Sequence, residues 1–324
     1  MRSRSAWQRA VRPSPMIILL MSLIGGLMAV GFSQTRSVIK PLSMLTPPAY
    51  LGEWGSFGSD TGKFQYPQKI AITSAGELVV ADAGNNRLQV FDTTGKFLRT
   101  IGLPGGTTGE QVGALYNSSG VAVDSDGNIY ATDLREERVQ VFDSTGKFVS
   151  AAKVPAAAVT ACGGAIFTVG KTEHVVTKLT PTLDTTKTFG GFGTATGQLQ
   201  FPTGITCAGT SLIVADMVGA RVQVFDLDGN ALQAFGTFGN GSGQFNNPYD
   251  VAVDPQHNIY VVDMSNHRVQ VFNSQGQYLT TLGSGFGSGP GQFKYPTGIT
   301  IDRQGTIYVV DGGNHRVQKF APLR

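Results

Sequence analysis

RVQVF stands at 138–142, 221–225 and 268–272, and the near copies RLQVF (87–91) and RVQKF (316–320) bracket it. The five copies begin at Arg87, Arg138, Arg221, Arg268 and Arg316, so their spacings are 51, 83, 47 and 48 residues. The spacing of 83 holds two units. The stretch VTACGGAIFTVGKTEHVVTKL (159–179) aligns without gaps to the others as a degraded copy. Six units of about 40–50 residues fall in the range of propellers and solenoids.

The fifth unit shows the local reading. YDVAVD (249–254), IYVVD (259–263), RVQVF running on to Asn273, and YLTTLG (278–283) are four strand-like runs, and PQHN, MSNH and SQGQ separate them. β-Branched and aromatic residues fill the runs, and turn formers fill the gaps. Side chains alternate along a strand, so the two Val of RVQVF face one way and Gln and Phe the other. Both faces are then largely apolar, as required of a sheet sandwiched between two others. The sixth unit stops after its third strand, at Phe320 to Arg324, while AYLGEW (49–54) precedes the first unit and matches a fourth strand. The expected fold is all-β: a six-bladed β-propeller of four-stranded antiparallel blades, closed by an N-terminal strand that completes the last blade.

PTGITIDRQGTIYVVDGGNHRVQKF (296–320) resembles an NHL repeat, and SNHRVQVF and GNHRVQKF carry the Asn-His signature of that family. The resemblance covers residues 50–324 and implies the six-bladed propeller. It does not imply one function, because the fold hosts binding modules and enzymes alike. Similar NHL domains serve as extracellular sensors and as protein or RNA binders. Related propellers include a peptidyl-glycine amidating lyase and lactonases.

The first residues differ from the rest. Arg2, Arg4, Arg9 and Arg12 precede an uncharged run from Met16 to Phe32. A basic head before an apolar run reads as an export signal or an N-terminal membrane anchor over 1–32, with the arginines inside and the remainder exported. Residues 33–48, with Pro47 and Pro48, read as a linker, and 49–324 as the propeller. Residues 1–49 hold six of the 25 Lys and Arg and none of the 22 Asp and Glu, which leaves 19 basic against 22 acidic side chains in the body. A nucleic-acid partner is therefore disfavoured, because it calls for a basic excess.

An Asp ends the second strand of five units and an Arg follows five residues later: Asp82 and Arg87, Asp133 and Arg138, Asp216 and Arg221, Asp263 and Arg268, Asp311 and Arg316. Recurrence in nearly every unit points to structural pairs that tie strands by charge-assisted hydrogen bonds. His267 and His315 fall in the turn beside these Arg residues, while His174 and His257 lie elsewhere, His257 on the rim opposite the other three. That is too scattered for the three or four converging ligands of a metal site, and no metal or other cofactor is expected. DSDGN (124–128) and DLDGN (226–230) lack the bidentate Glu of a calcium loop and read as hairpin turns. The Gly-rich GSGQF (241–245) and GPGQF (289–293) precede strands rather than helices and read as linkers between blades. Cys162 and Cys207 end the first strands of units three and four with offsets that differ by one residue. A disulfide and two free thiols both remain open.

Function is expected where the units differ. At the start of the first strand the equivalent residues are Lys69, Gly120, Ala158, Gly204, Asp250 and Gly298, a ring at one mouth of the central channel. Lys69 and Asp250 stand out from it, and with Tyr249 and Gln68 they form the candidate ligand-binding site; a pairing of the two across blade six, structural only, is the other reading. No residue is assigned a catalytic role. Unit three is the other anomaly, with Gly170 in place of Asp and Val175 in place of Arg. The reading carried forward is an exported or membrane-anchored scaffold that binds a protein partner or a ligand. The alternative is a propeller enzyme, a lyase or lactonase-like hydrolase, working at the channel mouth.

Overall fold

The computed structural model describes residues 45–103 and 112–324. The leader run and most of the 33–48 linker lie outside the described residues. Among those described, no helix is long and apolar enough to cross a membrane.

Six four-stranded antiparallel sheets stand around an axis. Blade one comprises Pro67–Ile72, Leu78–Asp82, Arg87–Phe91 and Phe97–Ile101, and blade two Ser118–Val123, Ile129–Asp133, Arg138–Phe142 and Phe148–Lys153. Blade three comprises Ala158–Cys162, Ala165–Gly170, Val175–Leu179 and Thr185–Gly190, and blade four Pro202–Ala208, Ser211–Asp216, Arg221–Asp226 and Ala231–Phe235. Blade five comprises Pro248–Val253, Ile259–Asp263, Arg268–Phe272 and Tyr278–Leu282. Blade six takes Gly298–Ile301, Ile307–Asp311 and Arg316–Phe320 from the C-terminal end and Tyr50–Trp54 from the N-terminal end. The closing strand runs antiparallel to the third, with Tyr50 opposite Phe320 and Trp54 opposite Val317.

The alternation within RVQVF sets the packing. In blade five, Val269 and Val271 join the apolar layer shared with Phe293, Ile299 and Val309 of the sixth unit. Phe272 joins the opposite layer, with Ile213, Ala215 and Val222 of blade four. Each third strand thus contributes to two inter-blade cores, so a single blade has no core of its own. The turns sort onto two faces. Turns between second and third strands and the linkers from a fourth strand to the next first strand share one face, which we call the rim. The remaining hairpin turns and the incoming chain at Tyr50 lie on the other.

Candidate functional site

At the channel mouth, the two charges that break the ring meet each other. Lys69 Nζ lies 2.9 Å from Asp250 Oδ1. It also donates to the Tyr249 carbonyl at 2.7 Å and sits 4.7 Å from the Tyr249 ring centroid. Asp250 Oδ2 accepts the Ile299 backbone N–H at 3.0 Å, and the Tyr249 hydroxyl donates to Gln68 Oε1 at 3.0 Å. Both charged side chains are buried. Burial pushes the Lys69 ammonium below its usual range and the Asp250 carboxyl above its own, and their mutual attraction opposes both shifts. Burial, reinforced by the Asp250 charge, pushes the Tyr249 phenol up to about 12.

The four residues proposed as a ligand site are therefore brought together, and they bind one another across blade six. The small members of the ring have a packing reason. A Cβ on Gly298 would lie 2.5 Å from the Gln68 carbonyl oxygen, and one on Gly204 would lie 2.7 Å from Asp250 Cα. At Gly204 and Gly298 the first strand of the next blade approaches too closely for a Cβ. Below the ion pair a cavity of about 260 Å³ follows the first strands, past Thr160, Thr206 and Thr300.

The repeated Asp, Arg and Gln form a hub in every blade but the third. In blade five, Asp263 Oδ1 accepts the Asn246 N–H at 2.7 Å. Its Oδ2 takes Arg268 Nε at 2.8 Å, Asn266 Nδ2 at 2.8 Å and Gln270 Nε2 at 3.2 Å. Arg268 donates on to the Gly241 and Gln244 carbonyls, and Gln270 Oε1 accepts the Gly243 N–H. RVQVF thus does two jobs: Arg and Gln pin the linker that precedes the blade, while the two Val and the Phe pack it against its neighbours. The equivalent ion pairs measure 2.8 Å in blades one, four and six and 3.1 Å in blade two. Blade three has Gly170 and Val175 at these positions, and the Glu173 carboxylate occupies the space where a Gly170 side chain would stand.

The rim carries a feature that sequence reasoning missed. The linkers into blades one, four, five and six each fold back on themselves through a short parallel pairing: Phe57 with Phe64, Phe192 with Leu199, Phe238 with Phe245, Phe286 with Phe293. The second member of each pair is fully buried. The first points outward, 61% exposed at Phe57, 65% at Phe192, 73% at Phe238 and 59% at Phe286. Three of these rings are backed by a histidine. His315 lies 5.0 Å from both Phe57 and Tyr66. His174 lies 4.9 Å from Phe192 and 4.8 Å from Phe201, and His267 lies 4.9 Å from Phe286 and 4.7 Å from Tyr295. The signal was present as Phe-Gly seven residues before the next large apolar residue, repeated in four linkers. Composition alone reads it as loop.

The remaining candidates fall apart in space or go to structure. His257 sits in a turn on the opposite face, at positive φ. Among the described residues, no group of three or more His, Cys, Asp or Glu could hold a metal ion. Cys162 and Cys207 are bonded, with Cα atoms 5.4 Å apart. The first strands converge on the axis, which keeps both residues within bridging distance despite the one-residue difference in offset.

A profile of the NHL repeat matches residues 64–91, and one described as a 6-bladed beta-propeller matches 254–321. The chain is similar to Protein brain tumor of Drosophila melanogaster, 27% identical over 219 residues, which is 67% of this chain and 16% of that one. It is also similar to B-box type zinc finger protein ncl-1 of Caenorhabditis elegans, 35% identical over 101 residues, 28% of this chain and 10% of that one. The chain thus spans only a small part of the length of these relatives. Virginiamycin B lyase from Staphylococcus aureus superposes with a TM-score of 0.58 at 16% identity, over 83% of this chain and 94% of that one, a likeness of fold alone. With these profiles on a ring of six four-stranded blades, the chain is a six-bladed β-propeller that carries an NHL repeat.

Proposed function

We propose that this propeller is an exported or membrane-tethered scaffold that binds a protein partner through its rim. The observation that carries the proposal is the row of outward-facing Phe57, Phe192, Phe238 and Phe286 on four consecutive blades, four to five to six to one. Exposed aromatic rings cost solubility, and aromatic side chains concentrate at the energetic centres of protein interfaces. The linkers that carry them hold few charges. Lys63 and Asp60 pair with each other at 2.7 Å, which leaves Lys294 as the remaining charged side chain of the four linkers. Such a surface suits an uncharged protein face better than a phosphate backbone. The disulfide fits an oxidising compartment outside the cytoplasm.

A lyase or hydrolase working at the channel mouth remains the alternative. It is less well supported because Lys69, Asp250, Tyr249 and Gln68 satisfy each other. The test is crosslinking of the full chain in its own cells, wild type against a variant with Phe57, Phe192, Phe238 and Phe286 all changed to Ser. We expect the principal crosslinked protein to disappear from the variant while a Lys69→Met, Asp250→Asn double variant, which leaves no buried charge orphaned, keeps it. Retention of the same partner by the four-fold Ser variant would overturn the rim as the contact face.

A further inference from the structure

We infer that His267 and His315 are proton-sensitive latches of the rim: neutral, each holds the next blade's linker in order, and protonated, each releases it; His174 makes the same bond in blade three. This deepens the reading of the rim as a docking face and rests on it.

The geometry is the same three times. His315 Nδ1 accepts the Tyr66 backbone N–H at 3.2 Å, His267 Nδ1 that of Tyr295 at 3.2 Å, and His174 Nδ1 that of Phe201 at 3.0 Å. Both ends of each bond are non-glycine residues in the left-handed region, with φ of 57° and 49° for His315 and Tyr66, and 55° and 48° for His267 and Tyr295. That conformation is disfavoured for residues with a Cβ and needs an external bond to hold it. A neutral imidazole can accept at Nδ1, whereas in the imidazolium both nitrogens are donors. Protonation therefore sets one N–H against another and frees the linker amide, which loses more than a cation gains beside an exposed aromatic ring. Blade one carries the non-titrating version: Asn86 Oδ1 accepts the Asn117 N–H at 3.0 Å from the same position. In blade four that position is Ala220, and Phe238, on the linker that follows, is the most exposed of the four rings.

The charged surroundings differ between the copies. His315 faces Tyr66, and the linker packed on it carries Asp60 and Lys63. Burial holds its imidazole below the usual range, the Lys294 charge adds to this, and Asp311 and Asp82 pull back up. His267 faces Tyr295, on the linker that holds Lys294. Burial lowers it also, against Asp311 and Asp263. The linker packed on His174 carries no charge; Asp216, at the end of the second strand of blade four, accepts the Gln200 N–H, and Lys171 and Glu173 stand in the same turn as His174. For His267 and His315 the sign follows. Their folded values lie below the ordinary 6.5, so the unfolded chain takes up protons first on acidification. The order they confer is fully present above that value and is lost as pH falls through the lower, folded one.

The test needs no partner, so its failure is separable from failure of the docking reading. Amide hydrogen exchange of the full chain is measured at single-residue resolution at neutral pH and near pH 5, corrected for intrinsic rates. Protection of the Tyr66 and Tyr295 amides should fall about tenfold or more, while that of Asn117 stays level. A His174→Asn, His267→Asn, His315→Asn variant should lose the pH dependence. As a second readout, imidazole 15N shifts of the wild type should show unprotonated Nδ1 at neutral pH in all three. Equal protection at both pH values, or Nδ1 carrying the proton at neutral pH, would overturn the latch, as would an unchanged pH dependence in the Asn variant.

Discussion

Lys69 and Asp250 show how a side chain that departs from a repeat can have a structural partner rather than a ligand. Each is a charge taken out of water, and each is tolerable because the other lies 2.9 Å away with further bonds to Tyr249 and Ile299. Removing one partner leaves the other buried and uncompensated. Lys69→Met alone and Asp250→Asn alone should each cost about 3–5 kcal/mol of stability. The double substitution should cost clearly less than the two added together, since neither orphan remains. Urea unfolding of the four proteins checks this, and additive losses would mean that the two residues act independently. The sequence marked these positions as odd and placed them on the two blades flanking blade six, which left a ligand site and a mutual pair both open across 181 residues of chain.

Blade three is where the repeat has changed most. Gly170 and Val175 replace the Asp and Arg that pin a linker elsewhere, and the segment before the blade, VPAA at 154–157, is short. With little linker to pin, the hub has less to hold. The blade is joined to blade four instead by the Cys162–Cys207 bond, which encloses 45 residues of sequence separation. Closing a loop of that size restricts the unfolded chain by about 3–4 kcal/mol in the entropy model. A Cys162→Ser, Cys207→Ser variant should lose about 2–4 kcal/mol, read as a lower denaturation midpoint under non-reducing conditions. Reductant should shift the wild type to the same midpoint and leave the variant unmoved. An unshifted variant would show that blade three is held by packing alone.

The whole ring depends on a strand from the far end of the chain. Tyr50–Trp54 supplies the outer edge of blade six, and Ala321 N–H bonds back to the Ala49 carbonyl at 2.8 Å. Glu53 reaches Arg316 at 2.8 Å, and Trp54 packs 6.0 Å from Phe91 of blade one and 6.2 Å from Tyr308. Deleting residues 49–55 leaves an unpaired edge on the third strand and opens the layer between blades six and one. That should remove most of the about 5–15 kcal/mol that stabilises a domain of ordinary stability, and the protein should melt tens of degrees lower or aggregate. A melting temperature that survives the deletion would mean the ring closes without this strand.

The sequence by itself determined the number of blades, the order of strands and the closing segment. Each of these is written locally, as period-two alternation between turn residues or as one motif recurring at a fixed interval. It also marked the Asp and Arg of each hub, because a residue repeated five times shows its importance by recurrence. Three things were decided only by tertiary structure. Lys69 and Asp250 meet because the ring brings blades one and five to either side of blade six. Cys162 and Cys207 are bonded because adjacent first strands converge on the axis. Phe57, Phe192, Phe238 and Phe286 point outward while Phe64, Leu199, Phe245 and Phe293, seven residues on, are buried. Nothing in an isolated linker tells one large apolar residue from the other, because only the neighbouring blade offers a core to one of them.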